Sequence, residues 1–407
     1  MVDVVKNILT PSISVSLEEP VVQRSPHNGI PAAISRLASD FVNTVPTDQN
    51  FVFSPFSIHA AMSMVLFGAR GETGQELISA LHLSSLAAES IDSAREKFKN
   101  TFALDRSGMK QRQDIWLDRN TSFHQSYIDV VSEVFRASTG VLDFSDAKAV
   151  ADHINNEVNM FTNGKVPVLL SVQDIQSIQG FFPAILTNML FHKGSWEQSF
   201  RPENTHEAQF YTHSHLSRPT TFMESKGTYK YMKVPGATFL VLPYADSDSF
   251  FVCVLPENTG VWPDLSCTYR IVLRMDWKNA VANMKPVDDM KVILPKFRMT
   301  QPPISIAPKL KELGVLKAFD GNAADFSAMT PAPKYCVSDV LHAAGIEINE
   351  EGSEAGAATA VMMRSLCLET KPKEFVANRP FLFFIVGGDG AVYFSGRLCD
   401  PSGSECR

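Results

Sequence analysis

The sequence predicts a mixed α+β fold, because helix-type patterns dominate its first half and strand-type patterns its second. The chain has 407 residues, of which 44% are hydrophobic and 20% are charged. This composition can build a large core and is not typical of a disordered chain. Length alone would suggest two domains. However, no Pro/Gly/Ser-rich linker and no internal repeat divides the sequence.

The first half is predicted to be helical on its apolar spacing. Residues 1–28 lack periodicity, which predicts a mobile N-terminal extension. One apolar helical face follows, made of Ile30, Ile34, Leu37 and Phe41. Ser57 can cap a second helix over 58–66, which Gly68 ends. A later helix has an apolar face of Val150, Ile154, Val158 and Phe161.

Strand-type runs follow in the second half. Residues 184–191 predict a central strand that is buried on both faces. Residues 238–242 and 249–255 predict a hairpin, and 290–294 predict another strand. Near the C-terminus, two apolar runs flank a Gly-Gly-Asp-Gly turn at 387–390, which predicts a buried β-hairpin.

Charge and cysteine content narrow the functional classes. A net charge of −7 argues against nucleic acid as the main partner. No run could span a membrane, and Asp3, Lys6 and Pro11 interrupt any signal-peptide core near the N-terminus. Cys399 and Cys406 flank a short turn, so they could form a disulfide or remain two thiols.

The most unusual stretch covers residues 350–375 and is rich in small side chains. Its alanines favour a helix over 354–363. Read with a period of two, the same residues give one wholly uncharged face: Ser353, Ala355, Ala357, Thr359, Val361 and Met363. A strand with such a face can be buried in a sheet without burying a charge. On this stretch alone, an exposed helix or linker and a buried strand are equally supported.

Two motifs in this region resemble the serpins, the serine-protease-inhibitor family. They are Glu350-Glu-Gly-Ser-Glu-Ala355 and Phe375-Val-Ala-Asn-Arg-Pro-Phe-Leu-Phe-Phe-Ile385. The resemblance covers roughly residues 29–400 and leaves a short tail at 401–407. The loop is most similar to those of inhibitory members of the leaderless ovalbumin type and the antithrombin type. The resemblance implies one large domain with three sheets and about nine helices.

The resemblance also implies that 350–375 is a reactive-centre loop, which is a bait for serine proteases. After cleavage its hinge would enter the main sheet as a new strand; the hinge comprises Glu350, Glu351, Gly352, Ser353, Glu354, Ala355, Gly356, Ala357, Ala358 and Thr359. The segment 165–188 is longer than is usual in the family and should cross in front of that sheet.

Two sets of residues match functional positions of the family, residue by residue. The shutter residues, which hold the central strands together from below, match Ser54, Ser57, Asn188 and His342. Hydrogen bonds between the histidine, serine and asparagine side chains would satisfy a buried histidine there. The breach residues, at the top of the sheet, match Trp196, Lys296 and Glu350. As an exposed ion pair, Lys296 and Glu350 would contribute only ~0–1 kcal/mol.

The family's usual spacing from the hinge glutamate places the scissile bond between Leu366 and Cys367. A leucine there suits chymotrypsin-like, elastase-like or cathepsin G-like proteases. The alternative bond, Arg364–Ser365, suits a trypsin-like protease whose primary pocket contains an aspartate. A cut at Arg364 shortens the inserting arm by roughly 7 Å, so Leu366 is preferred.

The sequence leaves three other interpretations of the function. A non-inhibitory serpin, such as a carrier or chaperone, often has bulky, charged or proline residues in the hinge, whereas this hinge is small throughout. An enzyme is disfavoured because Gly-x-Ser-x-Gly, His-Glu-x-x-His and Walker motifs are absent. A glycosaminoglycan cofactor could use a basic segment, whose candidates are Arg95, Lys97, Lys99, Arg106, Lys110 and Arg112. Because Glu96, Asp105 and Asp114 interrupt this segment, a solvated charged face is the preferred interpretation.

We therefore expect no catalytic residue, no metal and no obligatory cofactor. The expected partners are serine proteases, held in a covalent acyl complex, and the inhibitor itself is expected to be a monomer. The family resemblance favours an extracellular or cell-surface location. The cytoplasm is the alternative, because the sequence shows no cleavable signal peptide.

Overall fold

The architecture is taken from a computed structural model of the chain. It describes residues 29–402 except 42–45, 47, 87–88, 104–108, 163, 165–167, 179–183, 193, 213–215, 246, 258–264, 273–274, 332–334, 338 and 353–372. The predicted extension at 1–28 and the last residues of the tail therefore lie outside the described part.

The described residues contain ten α-helices and fourteen strands. The helices are α1 (Ile30–Phe41), α2 (Pro55–Gly68), α3 (Gly71–Ala80), α4 (Ile91–Phe102), α5 (Gln125–Phe135), α6 (Ala147–Phe161), α7 (Val172–Ile178), α8 (Leu265–Val272), α9 (Trp277–Asn283) and α10 (Ala307–Glu312). The strands are β1 (Phe51–Phe53), β2 (Met109–Asp118), β3 (Ser138–Leu142), β4 (Ala184–His192), β5 (His206–Tyr211), β6 (Ser217–Val234), β7 (Ala237–Pro243), β8 (Phe250–Pro256), β9 (Lys285–Pro295), β10 (Phe297–Ser305), β11 (Leu341–Ile348), β12 (Glu374–Val376), β13 (Phe381–Val386) and β14 (Val392–Leu398). The predicted α+β class with three sheets is confirmed.

The largest sheet has nine strands in the order β1-β14-β13-β8-β7-β6-β9-β12, with β5 paired to β6. Its central strands β8, β13 and β14 are buried at every position. Both predicted hairpins are confirmed here, because β7 pairs antiparallel with β8 and β13 with β14. Gly390 closes the second hairpin at φ +91°, a left-handed conformation that favours glycine.

The other two sheets are β3-β2-β4 and β10-β11. No hydrogen-bonded ladder joins β4 to β11 among the described strands, although both line one cavity. We call the space between these two strand edges the seam. The strand predicted at 184–191 is present, but its burial on both faces was a wrong prediction. Leu186, Asn188 and Leu190 are only half-buried, because they line the cavity at the seam.

Helix α2 lies beneath the seam and is apolar around its whole circumference, as expected for a helix inside the core. The predicted cap at Ser57 is wrong. Ser54 is the N-cap, since its hydroxyl accepts the N–H of Ser57 at 3.0 Å. Pro55 occupies the first helical position, where its missing N–H costs nothing. The capping residue therefore lies three positions earlier, and Ser57 points from the first turn toward the seam cavity.

The long segment before β4 crosses in front of the seam, as predicted. Asn155 of α6 forms three side-chain hydrogen bonds of 2.7–3.0 Å with Leu169 and Leu170 of this segment. Ile175 of α7 is fully buried in the same cluster as Ile185 of β4. This cluster also contacts Leu341 of β11, so α6 and α7 cover both edges of the seam. No helix in the described part is long and apolar enough to cross a bilayer.

Candidate functional site

The chain leaving β11 turns back at the top of the seam. The N–H of Asn349 donates to the carbonyl of Gly352 at 3.1 Å. The side-chain Oδ1 of Asn349 accepts the N–H groups of Glu351 and Gly352 at 3.0 and 3.2 Å. Gly352 then forms an isolated antiparallel bridge with Ser195. At Gly352 the chain therefore lies at the top of the seam, antiparallel to the segment that continues β4.

Position 352 requires glycine. Its φ is +151°, and a Cβ built there would collide with the carbonyl oxygen of Gly194. A side chain would thus be both strained and sterically blocked. The glycine of the hinge motif fixes a close backbone approach at the entrance of the seam.

The breach residue Trp196 anchors this turn from the opposite side. It is 2% exposed, and its indole Nε1–H donates to the carbonyl of Asn349 at 2.9 Å. Its backbone N–H donates to the carbonyl of Glu351 at 2.9 Å. The ring stacks on Tyr244 with centroids 4.8 Å apart. One buried side chain therefore connects the end of β11 to the continuation of β4.

Glu350 and Lys296 form the predicted ion pair, with Nζ–O distances of 2.9 and 3.0 Å to the two carboxylate oxygens. The prediction that this pair is exposed was wrong, since the Glu350 side chain is only 13% exposed. Thr205 donates a further hydrogen bond to Oε1 at 2.8 Å. Burial acts to raise the pKa of Glu350, but Lys296 and Thr205 outweigh it and hold the pKa below its ordinary value. The carboxylate is therefore ionised and fixed where the hinge begins.

The shutter residues meet at the cavity beneath the seam, but not through the side-chain bonds that were expected. The backbone N–H of Ser54 donates to Nε2 of His342 at 3.0 Å, so the neutral ring carries its proton on Nδ1. In contrast, Ser57 Oγ and Asn188 Nδ2 are buried and have no hydrogen-bond partner among the residues that the structure describes. Ser57, Asn188 and His342 all line the cavity, whose volume is about 140 Å³.

Unsatisfied buried polar atoms are costly, at ~1–3 kcal/mol each. They are also unusual in folded proteins. Gln113, which pairs with Asn188 across the β2–β4 ladder, adds two more such atoms. The seam therefore combines two strand edges that no described ladder joins with the unpartnered polar atoms of Ser57 and Asn188, which an added strand could satisfy.

The remaining predicted site residues lie outside the described part. Those from Ser353 to Thr359 belong to the hinge, and the two candidate scissile bonds are Leu366–Cys367 and Arg364–Ser365. The predicted disulfide also stays a prediction. Cys399 is buried with its Sγ 3.5 Å from the carbonyl of Gln49, but Cys406 is not described.

Sequence reasoning missed three residues of this site. Asn349 could have been found, because an asparagine before Glu-Glu-Gly is typical of a side-chain-capped turn. Thr205 and Tyr244 carry no local signal, since their roles depend on partners far away in the sequence.

Three of the six candidates in the basic segment have acidic partners in the structure. Lys97 pairs with Glu89, and Lys99 with Glu133. Arg112 contacts both Asp114 and Glu157, at 3.0 and 2.7 Å. These pairs support the interpretation of a solvated charged face. In the residues that the structure describes, no group of three or more His, Cys, Asp or Glu side chains could hold a metal ion.

Acid should destabilise the native protein through its buried histidines. Burial lowers the pKa of His59 and His342 to about 4, and that of His192 to about 3. Their unfolded-state pKa is near 6.5. A depressed folded-state pKa means that stability is retained above about pH 6.5 and falls as the pH drops toward about 4, by up to ~1.4 kcal/mol per pH unit for each histidine.

We expect His342→Gln to reduce this slope by about 1.4 kcal/mol per pH unit. Urea unfolding followed over this pH range measures the slope. Identical slopes for the variant and the parent protein would show that His342 is not held neutral by burial.

Comparison with known proteins agrees with this geometry. The serpin (serine protease inhibitor) profile matches residues 32–401. Leukocyte elastase inhibitor of Xenopus tropicalis is 30% identical over 375 residues, covering 88% of this chain and 95% of that protein. Serpin B10 of Otolemur garnettii is 30% identical over 402 residues, covering 91% and 99%.

Two solved structures show the same fold. Cleaved Serpin 42Da is 23% identical with a TM-score of 0.78, covering 90% of this chain and 97% of that one. Thyroxine-binding globulin in complex with thyroxine is 21% identical with a TM-score of 0.77, covering 91% and 98%. With the profile match over nearly the whole chain, these findings show that the protein belongs to the serpin family of serine protease inhibitors.

Proposed function

We propose that the protein is a suicide substrate of chymotrypsin-like, elastase-like or cathepsin G-like serine proteases, cut between Leu366 and Cys367. The observation that carries the proposal is the open seam. The hinge is already bonded at its top, and no ladder among the described residues joins the two strand edges below it.

The bridge at the top of the seam sets the register of an inserting strand. Continuing antiparallel from the Gly352–Ser195 bridge, Thr359 would lie opposite Asn188, and Met363 opposite the first residue of β4. Continuing from the bond between Asn349 and Gly352, the same Thr359 would lie opposite His342 of β11. Both edges therefore place this threonine between the shutter residues.

This register agrees with the uncharged face of the hinge. Partners across a sheet point to the same face, so the odd-numbered residues from 353 to 363 would face α2 together with His342 and Ile348. Those two residues are 5% and 1% exposed. A charge on that face would be buried without a partner, whereas the even-numbered residues face the other side of the sheet.

The driving force must come from the body of the protein rather than from the loop. Ordering each loop residue costs ~1–2 kcal/mol, and each new hydrogen bond returns ~0.5–1.5 kcal/mol. Alanine adds little apolar area, so these contributions nearly cancel. The gain lies in pairing both seam edges and in satisfying Ser57 Oγ and Asn188 Nδ2. Release of stored strain by loop insertion is the known behaviour of serpins.

Insertion competes with hydrolysis of the acyl-enzyme. The protease serine attacks the Leu366 carbonyl, the Cys367 amine leaves with a proton, and an ester joins protease and inhibitor. The freed hinge then enters the seam and carries the protease across the molecule. The active site of the protease is distorted before water can cleave the ester.

Two findings support Leu366 over Arg364. In the register above, Met363 reaches the foot of β4, so a cut after Leu366 leaves three residues to connect strand and protease, whereas a cut after Arg364 leaves one. The similar leukocyte elastase inhibitor is named for an elastase, a protease class that prefers apolar residues. The trypsin-like alternative at Arg364–Ser365 makes the shorter and weaker trap.

Assembly state and location also remain predictions. We propose a monomer that acts outside the cell or at its surface, with the cytoplasm as the alternative compartment. Glycosaminoglycan activation is not favoured, because Lys97, Lys99 and Arg112 already have acidic partners.

The hinge is tested by a matched pair of substitutions. Ser353→Arg places a charge on the face that becomes buried, so we expect cleavage to continue while the covalent complex is lost. Glu354→Arg makes a comparable change on the opposite face and should keep the complex. Gel electrophoresis in SDS after incubation with chymotrypsin separates the two outcomes. A stable complex with Ser353→Arg would contradict insertion, and a non-inhibitory carrier would form no complex even before mutation.

The scissile bond is tested at the two candidate residues. Leu366→Ala should slow complex formation with chymotrypsin roughly 10- to 200-fold, because an apolar primary pocket loses its occupant. Arg364→Ala should leave that rate unchanged. Mass spectrometry of the peptide released from the complex identifies the bond directly. Release beginning at Ser365 would contradict the assignment.

A further inference from the structure

We infer that the seam cavity is a binding site for a compact, neutral molecule with one hydrogen-bonding oxygen, such as a phenol or an alicyclic alcohol. Such a site goes beyond protease inhibition, because it would take a small ligand in the intact protein. The argument rests on the size of the cavity, its unmet polar atoms and the charges along its wall.

The cavity is lined by packed elements and is partly open to one side. Its floor is α2, with Ser57 and Met62 among the lining residues. Its roof is the segment before α7, which contributes Leu170. Strands β4 and β11 form the two side walls. The volume of about 140 Å³ is close to that of an apolar cavity known to hold benzene, roughly 150 Å³. A molecule of about seven heavy atoms therefore fits.

The cavity differs from a purely apolar one in its polar atoms. Ser57 is 3% exposed, yet its hydroxyl has no partner. Asn188 Nδ2 on the facing strand is a donor that also lacks an acceptor. A single hydroxyl oxygen could accept from Asn188 and share its proton with Ser57. The ligand needs one such oxygen, because burying a further polar atom among Met62, Ile306 and Ala344 would leave it unsatisfied.

The charges along the wall select against anions. The only charged lining residues are Asp174 and Asp339, and neither lysine nor arginine is among the lining residues that the structure describes. Asp174 accepts hydrogen bonds from Ser171, and Asp339 from Ser305. A carboxylate ligand would meet negative charge and no cation, so the ligand class is neutral.

Occupation would also affect inhibition, a consequence that rests on the proposed insertion mechanism. The ligand oxygen would take the place that the register assigns to the Thr359 hydroxyl. An occupied seam would delay the incoming strand, so that more protease completes hydrolysis and more inhibitor is consumed as substrate.

Binding is tested by fluorine NMR titration of the intact protein with 4-fluorophenol. We expect saturable binding that is about 3- to 10-fold tighter than for 4-fluorotoluene, which lacks the oxygen. We expect no binding of 4-fluorobenzoate, which is an anion. Equal affinity for the toluene, binding of the benzoate, or no binding of the phenol would overturn the proposal.

Variants locate the ligand. Ser57→Ala should weaken 4-fluorophenol binding about 3- to 10-fold. Ser63→Ala is the matched control on the same helix, because Ser63 is buried beside His59 and does not line the cavity. Ala61→Leu should abolish binding by filling the space. Unchanged affinity in Ser57→Ala would overturn the site even if Ala61→Leu fails to fold.

A protease assay separates this proposal from the proposed function. As the phenol concentration is raised, the ratio of cleaved inhibitor to covalent complex should rise in the parent protein, and the same rise in Ser57→Ala should need an about 3- to 10-fold higher concentration. If the NMR results are as expected while this ratio is unchanged, the binding site stands and the insertion route through the shutter is overturned.

Discussion

The missing ladder between β4 and β11 is the constraint on which the rest of this structure depends. Two strand edges line the same cavity, and no ladder among the described residues pairs their main-chain groups there. Such edges usually invite pairing with another strand. Here α2 covers them from below and α6 with α7 from the front. Among the described residues, the fold thus leaves these two edges unjoined inside an otherwise close-packed domain, and joining them through an added strand would release free energy.

The residues at the entrance of the seam are well hydrogen-bonded, whereas polar atoms in its interior lack partners among the described residues. Trp196, Glu350 and Gly352 each make contacts that fix the chain at the top of the seam. Because these bonds already exist before any cut, insertion needs no search for its register. Hydrogen bonds are made at the top of the seam and are missing in its middle. This difference would give loop insertion its direction, because each inserted residue improves the pairing of the residues below it. The same unmet atoms that would receive Thr359 also make the cavity attractive to a small alcohol.

Much of this could be predicted from the sequence, and the failures have physical causes. The α+β class and the two hairpins were predictable, because periodicity and turn residues act locally. The cap of α2 was placed at Ser57 instead of Ser54, although Pro55 was a local signal for the earlier start. The half-burial of β4 and the burial of Glu350 could not be predicted. The first depends on the cavity at the seam, and the second on Thr205, which lies 145 residues away.

Amide hydrogen exchange across the seam tests the central claim most directly. In the intact protein, the amides of β4 and β11 that point toward the seam should exchange readily, because no strand accepts their hydrogen bonds. After the loop is cut by a protease, the same amides should become strongly protected, while β13 and β14 remain as slow as before. Equal exchange in β4 and β11 before and after the cut would show that no strand enters, and would contradict the account.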